Sequence, residues 1–387
     1  MKWNSFKTSS SIRNVGLLGI TNLAGSALSA LFWLFLADLM GAENYGELGY
    51  FIGIASIATA FSTLGGQYVM TVYTAKNVNI QPVLYLISLI SSTIAAITCY
   101  VIFTNIGLSI YILGHVIYSL VIAELLGHRI YKIYSTHFIL QKIIMITLSL
   151  SLFYLIGEHG IILGIGLSFV YLSFYIYKSF KTTKLDFHIL KPRLKFLINN
   201  YILNASKLFK VGIDKIIIAP LFGFEILGNY FLGLQVFSIL VILPGVFMNY
   251  TLPEDSKGKL STKNIKILAI VVSIIIAILG IVIVPEILPL FFPEYSDAIN
   301  LIPIFSLAVI PGTITLLFYS SFLSEEKTNH LLISHFLTVI AFILGIYLLG
   351  NLLGVVGLAW SLVIADSIGA LYLAIIRFQM KLRGNLS

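Results

Sequence analysis

Ala37-Asp-Leu-Met-Gly-Ala-Glu-Asn-Tyr-Gly46 and Ala219-Pro-Leu-Phe-Gly-Phe-Glu-Ile-Leu-Gly228 carry Ala, Leu, Gly, Glu and Gly at the same places, 182 residues apart. Each decapeptide closes one long apolar run and opens another. Two segments of one kind at one offset imply a chain built of two related halves. The runs around them are about 20 residues long, the length of a membrane-crossing helix. Of the 387 residues 58% are hydrophobic and only 10% charged, with a mean hydropathy of +0.99. Soluble domains average roughly 25% charged, so the composition predicts an all-α integral membrane protein.

Polar and Gly/Pro breaks divide the chain into twelve predicted spans, near 14–38, 47–70, 83–103, 108–126, 139–156, 161–180, 198–220, 226–250, 266–292, 299–322, 331–349 and 354–376. The basic stretch Lys178–Lys195 separates six spans from six, which predicts two six-helix bundles at residues 1–185 and 186–387. An even number of spans per half makes the repeat parallel, so the bundles should be related by a pseudo-two-fold axis along the membrane normal.

Every Lys and Arg outside span seven is assigned to one end of the spans, Lys142 of the fifth included. The other end carries Asp38, Glu43, Glu47, Glu158, Glu225, Glu294 and Asp297. The positive-inside rule then places both termini in the cytoplasm and makes the chain a multi-pass protein of the cell membrane. The net charge of +8 is thus a topology signal with membrane lipids as partners, and it implies no nucleic acid. One cysteine, Cys99, excludes an internal disulfide and a cysteine-cluster metal site. No cofactor or metal is expected, and no GxxxxGK[ST] motif is present to hydrolyse ATP.

Lys207, Lys210 and Lys215 interrupt the apolar run Leu197–Leu221. A cation at mid-bilayer costs at least ~2.5–3.5 kcal/mol on insertion scales, so such residues face a cavity, a partner or a cargo. On a helical wheel Asn200, Asn204, Lys207, Lys210 and Asp214 share a stripe about 120° wide, with Lys215 at its margin. One reading makes this stripe the binding surface for an anionic cargo, with ammonium groups on phosphate and amides on phosphate or sugar. The other makes Lys210–Asp214 an i,i+4 pair that renders the charges tolerable, with Lys215 snorkelling to the interface. The equivalent first-half positions, Asn22, Gly25 and Leu28, are uncharged. Asp366 in span twelve and Glu124 near the end of span four are the other acids at membrane depth; each is a candidate for binding H+ or Na+, or for pairing with a lysine or a wet helix end. His128, Arg129, Lys132 and His137, interleaved with Tyr131 and Tyr134, form an amphipathic stretch that anchors at the interface or attracts a phosphorylated lipid.

In Gly41-Ala-Glu-Asn-Tyr-Gly46, Val211-Gly-Ile-Asp-Lys-Ile-Ile-Ile218, Gly223…Gly228-Asn-Tyr230 and the Glu325-Glu-Lys327 turn, the chain resembles the polysaccharide-biosynthesis, or O-antigen flippase, branch of the MATE-like MOP transporter superfamily. The resemblance covers the whole length. It implies alternating access and a cargo of oligosaccharide linked through diphosphate to a polyprenol, moved from the inner to the outer leaflet. A cation-coupled multidrug exporter of the same superfamily is the alternative, although such a protein is expected to carry deep carboxylates where this chain carries mostly lysines. A membrane glycosyltransferase or polymerase is disfavoured, because the acid-bearing connections are too short for an external active site; the expectation is a transporter and not an enzyme.

Overall fold

A computed structural model describes residues 3–64, 66–256, 262–325 and 327–384. These residues form helices and no strand: α1 (Trp3–Ser62), α2 (Gly66–Ala75), α3 (Gln81–Phe103), α4 (Ile106–Gly127), α5 (Tyr131–Ile156), α6 (His159–Leu167), α7 (Ser173–Thr182) and α8 (Leu194–Phe222). The second part of the chain follows with α9 (Phe224–Leu240), α10 (Ile242–Ser256), α11 (Thr262–Val282), α12 (Val284–Phe291), α13 (Ser296–Ser324), α14 (Thr328–Leu353) and α15 (Val355–Gly384). An all-helical build is the expected response to lipid, where each backbone N–H and C=O must be satisfied within its own segment.

Among the described residues nine helices are long and apolar enough to cross a membrane. They become ten if Phe224–Leu240 and Ile242–Met248, bent by 42°, form one span. The sequence reading gives twelve. The difference arises because Gly16–Ser62 runs as one 47-residue element and because α8, diluted by lysines and asparagines, falls below the hydropathy of a span. Inside that long element the backbone breaks at Gly41 (φ 72°, ψ 170°), and α8 parts from α9 at Gly223 (φ 90°, ψ 168°). Positive φ is open to glycine and strained for residues with a Cβ. The glycine shared by the two decapeptides is therefore a backbone requirement, met twice with one geometry.

The chain forms two compact units. One comprises the residues up to Phe32 with Phe51–Ile213; the other comprises Trp33–Tyr50 with Asp214 onward. The first packs around Met70, Leu84, Tyr85, Val116, Leu120 and Leu172. Its α6 lies close on α5, where a Cβ at Gly164 would come within 2.5 Å of the Ser149 Cα. Small residues at such crossings replace the hydrophobic drive that lipid removes. The second unit packs around Ile218, Tyr230, Leu301, Phe305, Phe342 and Leu358. Long apolar side chains such as Ile97, Val101, Leu344 and Ile375 point outward, as a lipid-facing surface requires.

One assignment from sequence needs correction. Lys142 was placed with the basic ends of the spans, but it is the twelfth residue of the 26-residue α5. Its neighbour Gln141 donates to the Ser168 hydroxyl at 3.0 Å, midway along the candidate span His159–Thr182. The flanking Tyr, Ser, Thr and His residues resemble a wet helix end in composition, yet they continue the helix outward by about three turns. Lys142 thus lies within a candidate membrane-crossing helix rather than at its end.

Candidate functional site: the polar stretch of α8

The helix α8 is continuous through Pro220, and its residues fall in both units. In the first unit it lies against the end of α1 and the start of α2. Tyr201 donates to the Phe61 carbonyl at 3.4 Å, Asn204 sits beside Gly66, and a Cβ on Gly212 would meet the Gly53 carbonyl oxygen at 2.5 Å. Asn200 donates one of its two amide N–H groups to the Phe196 carbonyl one turn back, at 2.8 Å. Lys210 is half-buried. Lys207 lies within α8, but its side chain falls outside the described residues.

The second unit begins with a buried charge pair. Asp214 and Lys215 are 3% and 4% exposed, with Lys215 Nζ 3.1 and 3.3 Å from the two carboxylate oxygens. The Tyr230 hydroxyl donates to Asp214 Oδ2 at 3.2 Å, and the Lys215 backbone N–H donates to Oδ1 at 2.8 Å. Extra donors of this kind are what make a buried pair tolerable, since the attraction alone does not repay desolvation of both ions. Lys215 therefore does not snorkel outward. Its ammonium lies 5.5 Å from the centroid of the Phe231 ring, a cation–π distance. The wheel set Lys215 at the margin because it treats side chains as radial, whereas a four-carbon stem curls back to its neighbour's carboxylate.

Asp366, half-buried on α15, lies near enough for its charge to act on Tyr230. Asp214 accepts from Tyr230 directly, whereas Asp366 reaches that tyrosine through its charge alone. Glu124 is in the other unit. It accepts from the Tyr85 hydroxyl and stands 3.6 Å from His128 Nε2, beside a cavity of about 350 Å³.

Two features escaped the sequence reading. Lys142 lies with its ammonium 5.9 Å from the Phe138 ring centroid, and that ring fills the space a side chain at Gly25 would take. Gly25 stands 182 residues before Lys207, and the Phe138 ring occupies the space beside it. At the basic end of the second unit, Lys266 donates to Asp255 at 2.6 Å and to Ser321 at 2.7 Å, and Ser320 donates to the same Asp255 oxygen at 2.6 Å. Burial pushes the Asp255 carboxyl up, but hydrogen bonds from Lys266, Ser320 and Thr262 outweigh it and hold the group below its ordinary value. Glu325 is likewise held low, with burial opposed by Lys327 and Arg377. Among the described residues no group of three or more His, Cys, Asp and Glu is arranged to hold a metal ion.

No protein-family model matches the chain, and no curated protein matches its sequence. Solved structures do match. An inward-facing multidrug resistance transporter of the MATE family, in the MOP superfamily, aligns with a TM-score of 0.72 at 14% identity, over 95% of this chain and 99% of the other. The lipid II flippase MurJ in an inward closed conformation gives 0.69 at 14% identity, over 94% and 87%. A MOP-superfamily transporter from Pyrococcus furiosus, described by the reverse polarity of its binding pocket, gives 0.59 at 16% identity, over 95% of each chain. At these identities the likeness shows the fold, which is that of the MATE-like transporters, a flippase included.

Proposed function

We propose that the protein is a flippase that moves a polyprenyl-diphosphate-linked oligosaccharide from the cytoplasmic to the external leaflet by alternating access. The observation that carries this reading is the cationic, amide-bearing stretch of α8 within a transporter fold. Lys207 and Lys210 supply compact positive charge to the diphosphate, and Asn200 and Asn204 lie on the same stripe for phosphate or sugar oxygens. The solved flippase of the same fold is precedent for a lipid-linked cargo, and the Pyrococcus transporter is precedent for a changed pocket polarity.

On this reading the chain crosses the membrane twelve times, with both termini cytoplasmic. Alpha1 and the bent pair then count as two spans and one, and α8 crosses despite its charges. The halves that alternate are residues 1–185 and 186–387. Coupling to H+ or Na+ is assigned to Asp366, whose charge acts on Tyr230, with Glu124 the second candidate.

A second reading, a cation-coupled multidrug exporter, is favoured by the buried Asp214 carboxylate, by Asp366 on α15 and by the fold shared with the MATE transporter. The discriminating experiment uses the protein in nanodiscs, titrated with a polyprenyl-diphosphate glycolipid and with cationic dyes. Glycolipid binding that is lost in Lys207→Ala/Lys210→Ala is the expected result. Dye binding that survives those changes, without glycolipid binding, would establish the exporter.

A further inference from the structure

Two cations of the first unit share one aromatic ring. Lys76 Nζ lies 5.8 Å and the Arg193 guanidinium carbon 5.1 Å from the centroid of Tyr73. Lys76 directly follows α2, and Arg193 directly precedes α8, whose Phe196 meets the same ring edge-on at 5.6 Å. Among the described residues neither cation forms an ion pair. Asp186, the acid nearest to Arg193 in sequence, accepts from the backbone N–H of His188. The face of the Tyr73 ring attracts cations only weakly, and the C-terminus of α2 adds roughly half a negative charge. Two full positive charges exceed what the fold sets against them.

Their donors are also in hand. Arg193 gives one N–H to the Ile189 carbonyl at 2.6 Å, and four of its five remain. Lys76 adds three, none of them bonded to another described residue.

The place of the pair gives it a role. Phe196, Asn200 and Asn204 follow one another at intervals of four on α8. The ends of this run lie against the ends of α2, Phe196 on Tyr73 and Asn204 beside Gly66. Asn204 is ten helical residues beyond Leu194, roughly 15 Å, and Lys207 comes three residues later.

We propose that Arg193 and Lys76 form a second phosphate site at the basic end of the first unit, a loading site that captures the diphosphate of the cargo before Lys207 and Lys210 receive it. The cargo's identity rests on the flippase reading, whereas the site rests on the cation pair. The planar fork of arginine takes one phosphoryl group bidentately, and the lysine meets the other as a point charge. A monoanion would leave one of the two cations unmet.

The test uses the full chain in phosphatidylcholine nanodiscs, with Lys207→Ala/Lys210→Ala introduced so that inorganic pyrophosphate reports the remaining site. Pyrophosphate should still bind, and Arg193→Gln or Lys76→Gln should each weaken it roughly tenfold, the worth of one charge-assisted hydrogen bond. Arg193→Lys should restore part of the loss. Lys381→Gln, an exposed charge on α15, should change nothing. Absent binding, or equal losses from Lys381→Gln, would overturn the site. Without the two alanines, glycolipid association should slow in Arg193→Gln while dissociation holds; unchanged association would overturn the loading role. Displacement of pyrophosphate by phosphatidylglycerol as readily as by the glycolipid would overturn the cargo as occupant. Pyrophosphate held by Arg193 and Lys76, with no glycolipid binding to the unaltered protein, would refute the flippase reading and leave the phosphate site standing.

Discussion

Gly46 and Gly228, equivalent positions of the two decapeptides, pack against each other backbone to backbone. A Cβ on Gly46 would overlap the Phe224 carbonyl oxygen and lie 2.7 Å from the Gly228 nitrogen; a Cβ on Gly228 would overlap the carbonyl oxygen of Ala42. Phe224 and Ala42 are themselves equivalents, so the contact is reciprocal, as between subunits related by a two-fold axis. The contact places a local pseudo-two-fold between these two glycines.

Alanine at either glycine should therefore be expensive. Gly46→Ala and Gly228→Ala force backbone apart and should each destabilise by at least the ~1–3 kcal/mol typical of overpacking. Gly245→Ala is the control, since nothing lies within 4 Å of its Cβ position and it sits inside α10. There the helix should gain up to about 1 kcal/mol. Thermal unfolding in detergent measures all three, and equal melting temperatures would refute the close contact.

The Asp214–Lys215 pair should show strong coupling. Asp214→Asn or Lys215→Met alone leaves a buried ion without its partner and should cost ~3–5 kcal/mol, while the double change should recover most of the loss. A double-mutant cycle on unfolding reads this directly. Additive losses would mean that the two side chains do not depend on each other.

Stability should fall in acid through the basic end of the second unit. Asp255 and Glu325 are both held below their ordinary values. A carboxylate with a depressed folded pKa contributes stability above its unfolded pKa, and that stability is lost as pH falls through the folded one. Melting temperature should thus drop progressively below about pH 4, near the unfolded carboxylate values. Asp255→Asn should lower the plateau and flatten the acid limb, and an unchanged limb would rule Asp255 out as its source.

Lys142 offers a test of how far the anionic site extends. Lys142→Ala should weaken glycolipid binding roughly tenfold if the ammonium meets the same diphosphate, and Lys142→Arg should retain most of it. Binding unaffected by Lys142→Ala would confine the cargo contacts to α8.

What sequence could and could not reveal follows from range. Gly41 and Gly223 were legible because a positive-φ break permits few residues, so the chemistry of one position marks itself. The helix that carries Asn200 through Lys215 was legible because its apolar run is local. The place of Lys142 inside α5 was not, since aromatic and hydroxyl residues ahead of it fit a helix and an interfacial segment equally well. The Lys215–Asp214–Tyr230 cluster depends on side-chain direction and on a second helix. The Glu124 cavity needs three helices distant in sequence, and no local pattern announces it.

Phe231 is touched on two sides by counterparts. The Trp33 ring meets it edge-on at 5.7 Å, and Lys215 caps it with an ammonium; positions 33 and 215 are separated by the same 182 residues as the decapeptides. A homodimer would be obliged to place like beside like around its axis. Joining the halves in one polypeptide removes that obligation: one copy carries an indole and the other a cation on a shared ring. The two positions related by the offset thus differ in chemistry where they share one ring.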